Sequence, residues 1–153
     1  MKIDGQIEYK LRQLRLTGIL QTLSVRVKEA QDSKAGYEEF LMMLLEDEYE
    51  RRQTGRLLKR LKDAHFEEEK TLEGFDFGFN PEIPVKRIKQ LTNCAYIEKG
   101  ENVFLLGPVG VGKTHIAQAL GHIACRMGYD VLFTKASHMF RYLHWAGQIR
   151  VGN

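Results

Sequence analysis

Cysteine and proline are scarce, with two and three residues respectively in a chain of 153. Two cysteines, Cys94 and Cys125, cannot make a disulfide scaffold, and their spacing is not the paired arrangement of a zinc site. The low proline content excludes a proline-rich linker protein. Long apolar runs are missing as well. The uncharged stretches 102–112 and 114–125 fall far short of the ~20 apolar residues that span a bilayer. No apolar stretch follows Lys2, so no secretory signal is expected, and a reducing, cytoplasmic setting without membrane contact follows. Net charge is only +3, too small an excess to assign a nucleic-acid partner from the total.

What is present divides the chain in two. Residues 1–74 carry 14 Lys+Arg against 15 Asp+Glu, whereas residues 75–153 carry 9 against 5, so the halves bear net charges of −1 and +4. The shift predicts a helical domain over 1–74 and a second domain over 75–153. In the first, Leu11, Leu14, Ile19, Leu20 and Leu23 recur at helical gaps, with a break at Thr17-Gly18. Thr17 suits the N-cap of a second helix that ends near Asp32-Ser33. A longer helix is expected from about Tyr37 to His65, with a leucine stripe that marks a core or partner-helix face. Its basic residues from Arg51 to Lys62 are read as a solvated face balanced by neighbouring acids.

The second half reads as the start of an α/β sheet. Pro84 suits the opening of a short helix with Val85, Ile88 and Leu91 on one face. Residues 102–106 form a compact apolar run expected to be a buried strand, and 130–134 a second. Between them 113–127 is helical and ends at Gly128. Ser137 suits the cap of a last helix reaching about Ala146. Two strands do not make an independent sheet, so these residues are expected to be the first, incomplete part of a larger nucleotide-binding domain.

One segment carries chemistry: Gly107-Pro108-Val109-Gly110-Val111-Gly112-Lys113-Thr114. It matches GxxxxGK[ST], the phosphate-binding P-loop, placed between an apolar run and a helix. Glycines allow several backbone N–H groups to turn toward one point. The helix that follows aims its free amides and positive dipole end at the same point. Lys113 supplies a positive charge for the β- and γ-phosphates, and the Thr114 hydroxyl can ligate Mg²⁺. The expected ligand is therefore a nucleoside triphosphate with its magnesium ion. Hydrolysis needs a further carboxylate near that magnesium. After Thr114 the only acidic residue is Asp130, at the wrong end of its expected strand, so no second nucleotide motif is present and no residue is assigned a catalytic role.

These residues resemble the IstB-like transposition helper ATPases, relatives of the DnaC-type helicase loaders in the AAA+ group. The likeness runs from Leu14-Arg15-Leu16-Thr17-Gly18 through Glu48-Tyr49-Glu50-Arg51-Arg52 and Phe75-Asp76-Phe77. It is densest from Asn102 to His115 and continues through Ala119-Leu120-Gly121-His122 and Gly128-Tyr129. The resemblance implies an AAA+ P-loop module behind a helical N-terminal domain, with Gly107 to Thr114 and the adjoining His115 at ATP. It further implies double-stranded DNA, a transposase and self-association as partners, in support of target DNA capture. Phe75 and Phe77 lie where the family's linker nears the nucleotide, as adenine contacts or as packing aromatics. The family's later catalytic motifs have no counterpart in these residues, which implies a truncated form unable to hydrolyse ATP alone. The alternative is a non-enzymatic helical module that binds DNA or a partner protein, with a vestigial P-loop.

Other constellations are weaker. His115, His122 and Cys125 can share a helix face, but no second ligand cluster completes a zinc set. Ser137-His138 lacks an acid to complete a triad. Tyr142 and Trp145 are aromatic candidates for base stacking or for a core.

Overall fold

The computed structural model describes residues 4–149, with the side chains of 145–149 left undescribed. Seven helices are assigned among them: α1 Gly5–Gln13, α2 Thr17–Ser33, α3 Tyr37–Asp63, α4 Val85–Leu91, α5 Ala95–Glu98, α6 Lys113–Arg126 and α7 Ala136–Ile149. The chain forms two compact units that part between Arg56 and Leu57, within α3. The charge shift near residue 74 does not coincide with this division, because residues 64–75 pack within the second unit.

In the first unit, α2 and α3 enclose Ile19, Leu23 and Leu44, with Leu11, Leu16, Val27 and Phe40 against them. Periodic apolar positions put one face of each helix toward the other, and that burial is what holds short helices in water. Asp4 caps α1 by accepting from the Gln6 amide at 2.8 Å. Thr17 does not cap α2. The N-cap is Leu16, which provides no side-chain acceptor, and Thr17 is already helical. The acceptor arrives from α3 instead, where Glu48 Oε2 meets the Gly18 amide at 2.6 Å. Lys34, in the left-handed region, ends α2 close to the expected place.

The second unit is built around α6, which buries Ile116, Ala119, Leu120, Ala124 and Cys125 along its length. Leu72, Ile88, Ile116, Ala119 and Leu120 form the core, and Phe75, Phe77, Ile83, Leu91, Leu105 and Ile123 pack on it. The end of α6 is a Schellman closure. Gly128 takes φ +99° and donates to the Cys125 carbonyl, while Tyr129 donates to that of Ala124. Pro84 precedes α4 as its N-cap. Ser137 lies inside the first turn of α7 rather than capping it.

The expected sheet is absent among the described residues: neither 102–106 nor 130–134 is a strand. A strand exists only when a second backbone supplies its ladder. The Phe133 amide instead donates to the Ala64 carbonyl just after α3, at 2.8 Å. Phe104 and Leu106 are 80% and 89% exposed, so the apolar run thought to be a buried strand is largely in solvent. No described helix is long and apolar enough to cross a membrane.

Candidate functional site: the loop at the head of α6

Residues 107–112 form an irregular turn that leads directly into α6. Gly107, Gly110 and Gly112 all have positive φ. Gly112 is the N-cap of α6 at φ 86°, ψ 14°, and two separate facts require glycine there. The left-handed backbone opposes a Cβ. A Cβ would also stand 2.3 Å from Cε2 of Phe75, whose ring lies against this turn.

Lys113 folds back across the loop. Its ammonium donates to the carbonyls of Gly107 at 3.0 Å and Pro108 at 2.5 Å, tying the start of the turn to the head of α6. Thr114 is exposed at the second position of α6. Val109 is 99% exposed at the tip. Among the described residues no protein acceptor meets the amides of Val109, Gly110 or Val111. Free amides, a lysine ammonium and a helix N-terminus thus lie together, an arrangement suited to an anion with several oxygens. The exposed Thr114 hydroxyl fits a metal that accompanies such an anion.

Beside this turn is a hollow of about 290 Å³, lined by Gly74, Phe75, Asp76, Phe79, Gly110–Gly112 and His115. His115 Nε2 lies 2.7 Å from the Thr71 carbonyl oxygen, and its ring meets Phe75 edge-on at 5.1 Å. Phe77 also packs edge-on with Phe75, at 4.9 Å. Of the sequence-predicted residues, the structure therefore collects Gly107, Pro108 and Lys113 by hydrogen bonds. It places Gly110, Val111, Gly112 and His115 along the hollow, and leaves Val109 and Thr114 in solvent.

Sequence reasoning missed the strap across α6. Gln118, buried on α6, accepts the main-chain amides of Glu67 and Glu68 at 3.0 and 3.2 Å. His122 stacks on Phe66 with ring centroids 4.0 Å apart and has Nε2 3.5 Å from the Glu68 carbonyl. Together with His115 at Thr71, these side chains bind the backbone of residues 67–71 to the face that also carries the loop. A recognisable trace exists in the polar positions 115, 118 and 122, spaced by three and four on an otherwise apolar helix. Two of these positions, with Cys125, are the set weighed for zinc and set aside for want of further ligands. Among the described residues no three His, Cys, Asp or Glu side chains are grouped to hold a metal.

Asp130 lies beyond the C-terminal end of α6, facing Arg60 at 3.5 Å with its side chain 97% exposed. A 14-residue helix is ~21 Å long, so this carboxylate is about a helix length from Lys113 and Thr114. The buried thiols of Cys94 and Cys125 are both pushed above the ordinary thiol range, chiefly by burial. For Cys94 the nearby Glu98 adds to the rise; at Cys125 Arg60 opposes it and Asp130 adds to it. Neither has the activated thiolate of a nucleophile. The Trp145 side chain lies outside the described residues, and Tyr142 is exposed.

Comparison with known proteins finds relatives over most of the chain. Residues 9–150 match the family described as IstB-like ATP binding protein. An insertion-sequence protein of Mycobacterium tuberculosis, named for ATP binding, is 45% identical over 136 residues, 89% of this chain and 54% of its own length. The insertion sequence IS21 ATP-binding protein of Pseudomonas aeruginosa is 38% identical over 143 residues, 94% of this chain and 54% of that protein. The corresponding IS5376 protein of Geobacillus stearothermophilus is 33% identical over 135 residues, with 88% and 54% covered. The chain spans about half the length of the curated relatives it matches.

Proposed function

The chain belongs to the IstB-like ATP-binding protein family, and from that premise we propose that Gly107 to Thr114 binds the triphosphate of ATP. Family membership implies a P-loop fold for the second unit. The observation that carries the proposal is the cluster at the head of α6: Lys113 drawn across the turn with the amides of Val109, Gly110 and Val111 free of protein acceptors. On binding, Lys113 exchanges its two loop carbonyls for phosphate oxygens, and the turn's amides satisfy the rest. Thr114 is the residue that would hold Mg²⁺, whose charge offsets that of the phosphates. His115 orients the Phe75 ring beside the loop and acts as a positioning residue.

In this reading the protein is a helper of insertion-sequence movement that acts with double-stranded DNA, a transposase and further copies of itself in target DNA capture. The residues of this chain bind nucleotide and do not hydrolyse it by themselves, since the carboxylate that follows Thr114 in sequence, Asp130, lies a helix length away.

Titration of a fluorescent ATP analogue, with and without Mg²⁺, tests the phosphate site. Lys113→Ala is expected to weaken binding by about tenfold or more, the loss of one charge-assisted contact. Equal titration curves for the two proteins would remove the assignment.

A further inference from the structure

We propose that the outward face of α3 in the first unit docks a basic amphipathic helix from a partner protein. This inference is independent of the nucleotide site. Tyr37, Leu41, Leu45 and Tyr49 stand four residues apart, so they form one ridge along three turns, with Met42 beside it. Every one of them is at least half exposed, and Tyr37 is 95% exposed. The adjoining face of the helix, with Phe40 and Leu44, is already packed on α2. Such a ridge is larger than the isolated apolar side chains ordinary on a protein surface.

Charge specifies the occupant. Residues 38–50 contain six acids and no lysine or arginine. Two face inward and are neutralised, Asp47 by Arg26 and Glu48 by Arg51 and Arg52. Glu38, Glu39, Glu46 and Glu50 remain exposed, and none is in an ion pair among the described residues. An apolar ridge with acids beside it repels nucleic acid and anionic lipid, and suits a helix with leucine-like anchors and lysine or arginine flanks. At the start of the ridge is a hollow of about 310 Å³, whose apolar lining of Val27, Ala30, Ala35, Tyr37 and Phe40 is joined by Gln31, Lys34 and Gly36. Tyr37 belongs to both, so a large apolar side chain at one end of the incoming helix has a pocket beside the ridge.

The test uses the full chain and a fluorescein-labelled helical peptide of about 18 residues, with Leu at i, i+3, i+4 and i+7 and Lys between. A second peptide has Glu in place of Lys. Fluorescence anisotropy is expected to give binding of the Lys peptide at least about tenfold tighter than the Glu peptide. Leu41→Asn with Leu45→Asn is expected to abolish this binding, and Glu46→Lys with Glu50→Lys to reverse the preference. All four positions are exposed, and circular dichroism checks that helix content is retained. Equal binding of the two peptides, or binding unchanged in the Leu41/Leu45 variant, would overturn the proposal. Sedimentation of the chain alone adds a third arm. A dimer that dissociates in the Leu41/Leu45 variant would assign the ridge to a second copy, and duplex DNA bound by the native chain and lost in that variant would assign it to nucleic acid. Either result overturns the proposal.

Discussion

The amide of Gly18 donates to the buried carboxylate of Glu48 across 30 residues of sequence, at 2.6 Å. Gly18 is in the first turn of α2, which has neither a side-chain cap nor an acid of its own. Glu48 is 5% exposed and also receives Arg52 at 2.7 Å and Arg51 at 3.3 Å. One carboxylate thus satisfies an orphan helix amide, complements the positive end of α2 and ties α2 to α3. Burial alone would raise its pKa. The hydrogen bonds from Arg52, Gly18 and Arg51 outweigh that and hold it below the usual carboxylate range.

Gly18→Ala is expected to destabilise the protein although alanine is the better helix former. An added Cβ would stand 2.8 Å from the Asp47 carbonyl oxygen, 2.8 Å from Glu48 Cα and 2.9 Å from Glu48 Oε2. Two of these atoms are backbone, so the helices must separate. Overpacking of this kind costs about 1–3 kcal/mol, which exceeds the ~1 kcal/mol helix-propensity gain. Thermal unfolding followed at 222 nm is expected to show a lower midpoint for the variant; a higher one would mean that the two helices do not approach so closely.

Acid weakens the first unit in a defined range. Arg26 grips Asp47 with two hydrogen bonds, at 2.8 and 2.6 Å. With Thr22 it lowers the Asp47 pKa to about 2. A carboxyl whose folded pKa is depressed contributes stability that is complete above its unfolded pKa, about 4, and is lost as pH falls toward the folded value. Glu48 is shifted in the same direction. Urea midpoints are therefore expected to be flat from pH 7 to about 5, then to fall steadily toward pH 2. Asp47→Asn is expected to be less stable at neutral pH and to lose less on acidification. Parallel pH profiles for the two proteins would contradict this.

The helices and the glycine turn before α6 were legible because both are written locally. Apolar spacing placed α2, α3 and α6 within a few residues, and the GxxxxGK[ST] pattern marked a turn whose glycines do have positive φ. What could not be read depends on a second backbone or on distant partners. Thr17 has the chemistry of a cap, yet the acceptor for α2 comes from Glu48. Residues 102–106 have strand composition, but a ladder requires a neighbour that composition cannot name. Gln118 and His122 bind main-chain atoms of 67–68, which carry no side-chain signature.

Cys94 and Cys125 are both fully buried and free. A thiol-disulfide reagent is expected to modify both completely in denaturant and only slowly in the native protein, at a rate set by opening of the second unit. Rapid native modification of either would show that the core around α6 opens readily.

Gly112 separates the two reasons for glycine in the turn before α6. In Gly112→Ala the new methyl meets the Phe75 ring at 2.3 Å and the backbone must hold φ 86° with a Cβ. Left-handed backbone costs about 1–2 kcal/mol for a residue with a side chain, and the clash adds to it. Phe75→Ala in the same chain removes the clash and leaves the dihedral cost. If packing of Phe75 on the loop is what shapes the phosphate turn, the double variant stays as weak in ATP-analogue binding as Gly112→Ala, because the turn has then lost its support. If the clash is the main obstacle, the double variant binds more tightly than Gly112→Ala. The contacts of Phe75 with Phe77 and His115 favour the first outcome, since removing the ring also removes the surface on which both pack beside the loop. Titration of the native protein, both single variants and the double variant completes the cycle, and an additive result would show that Phe75 and Gly112 act independently.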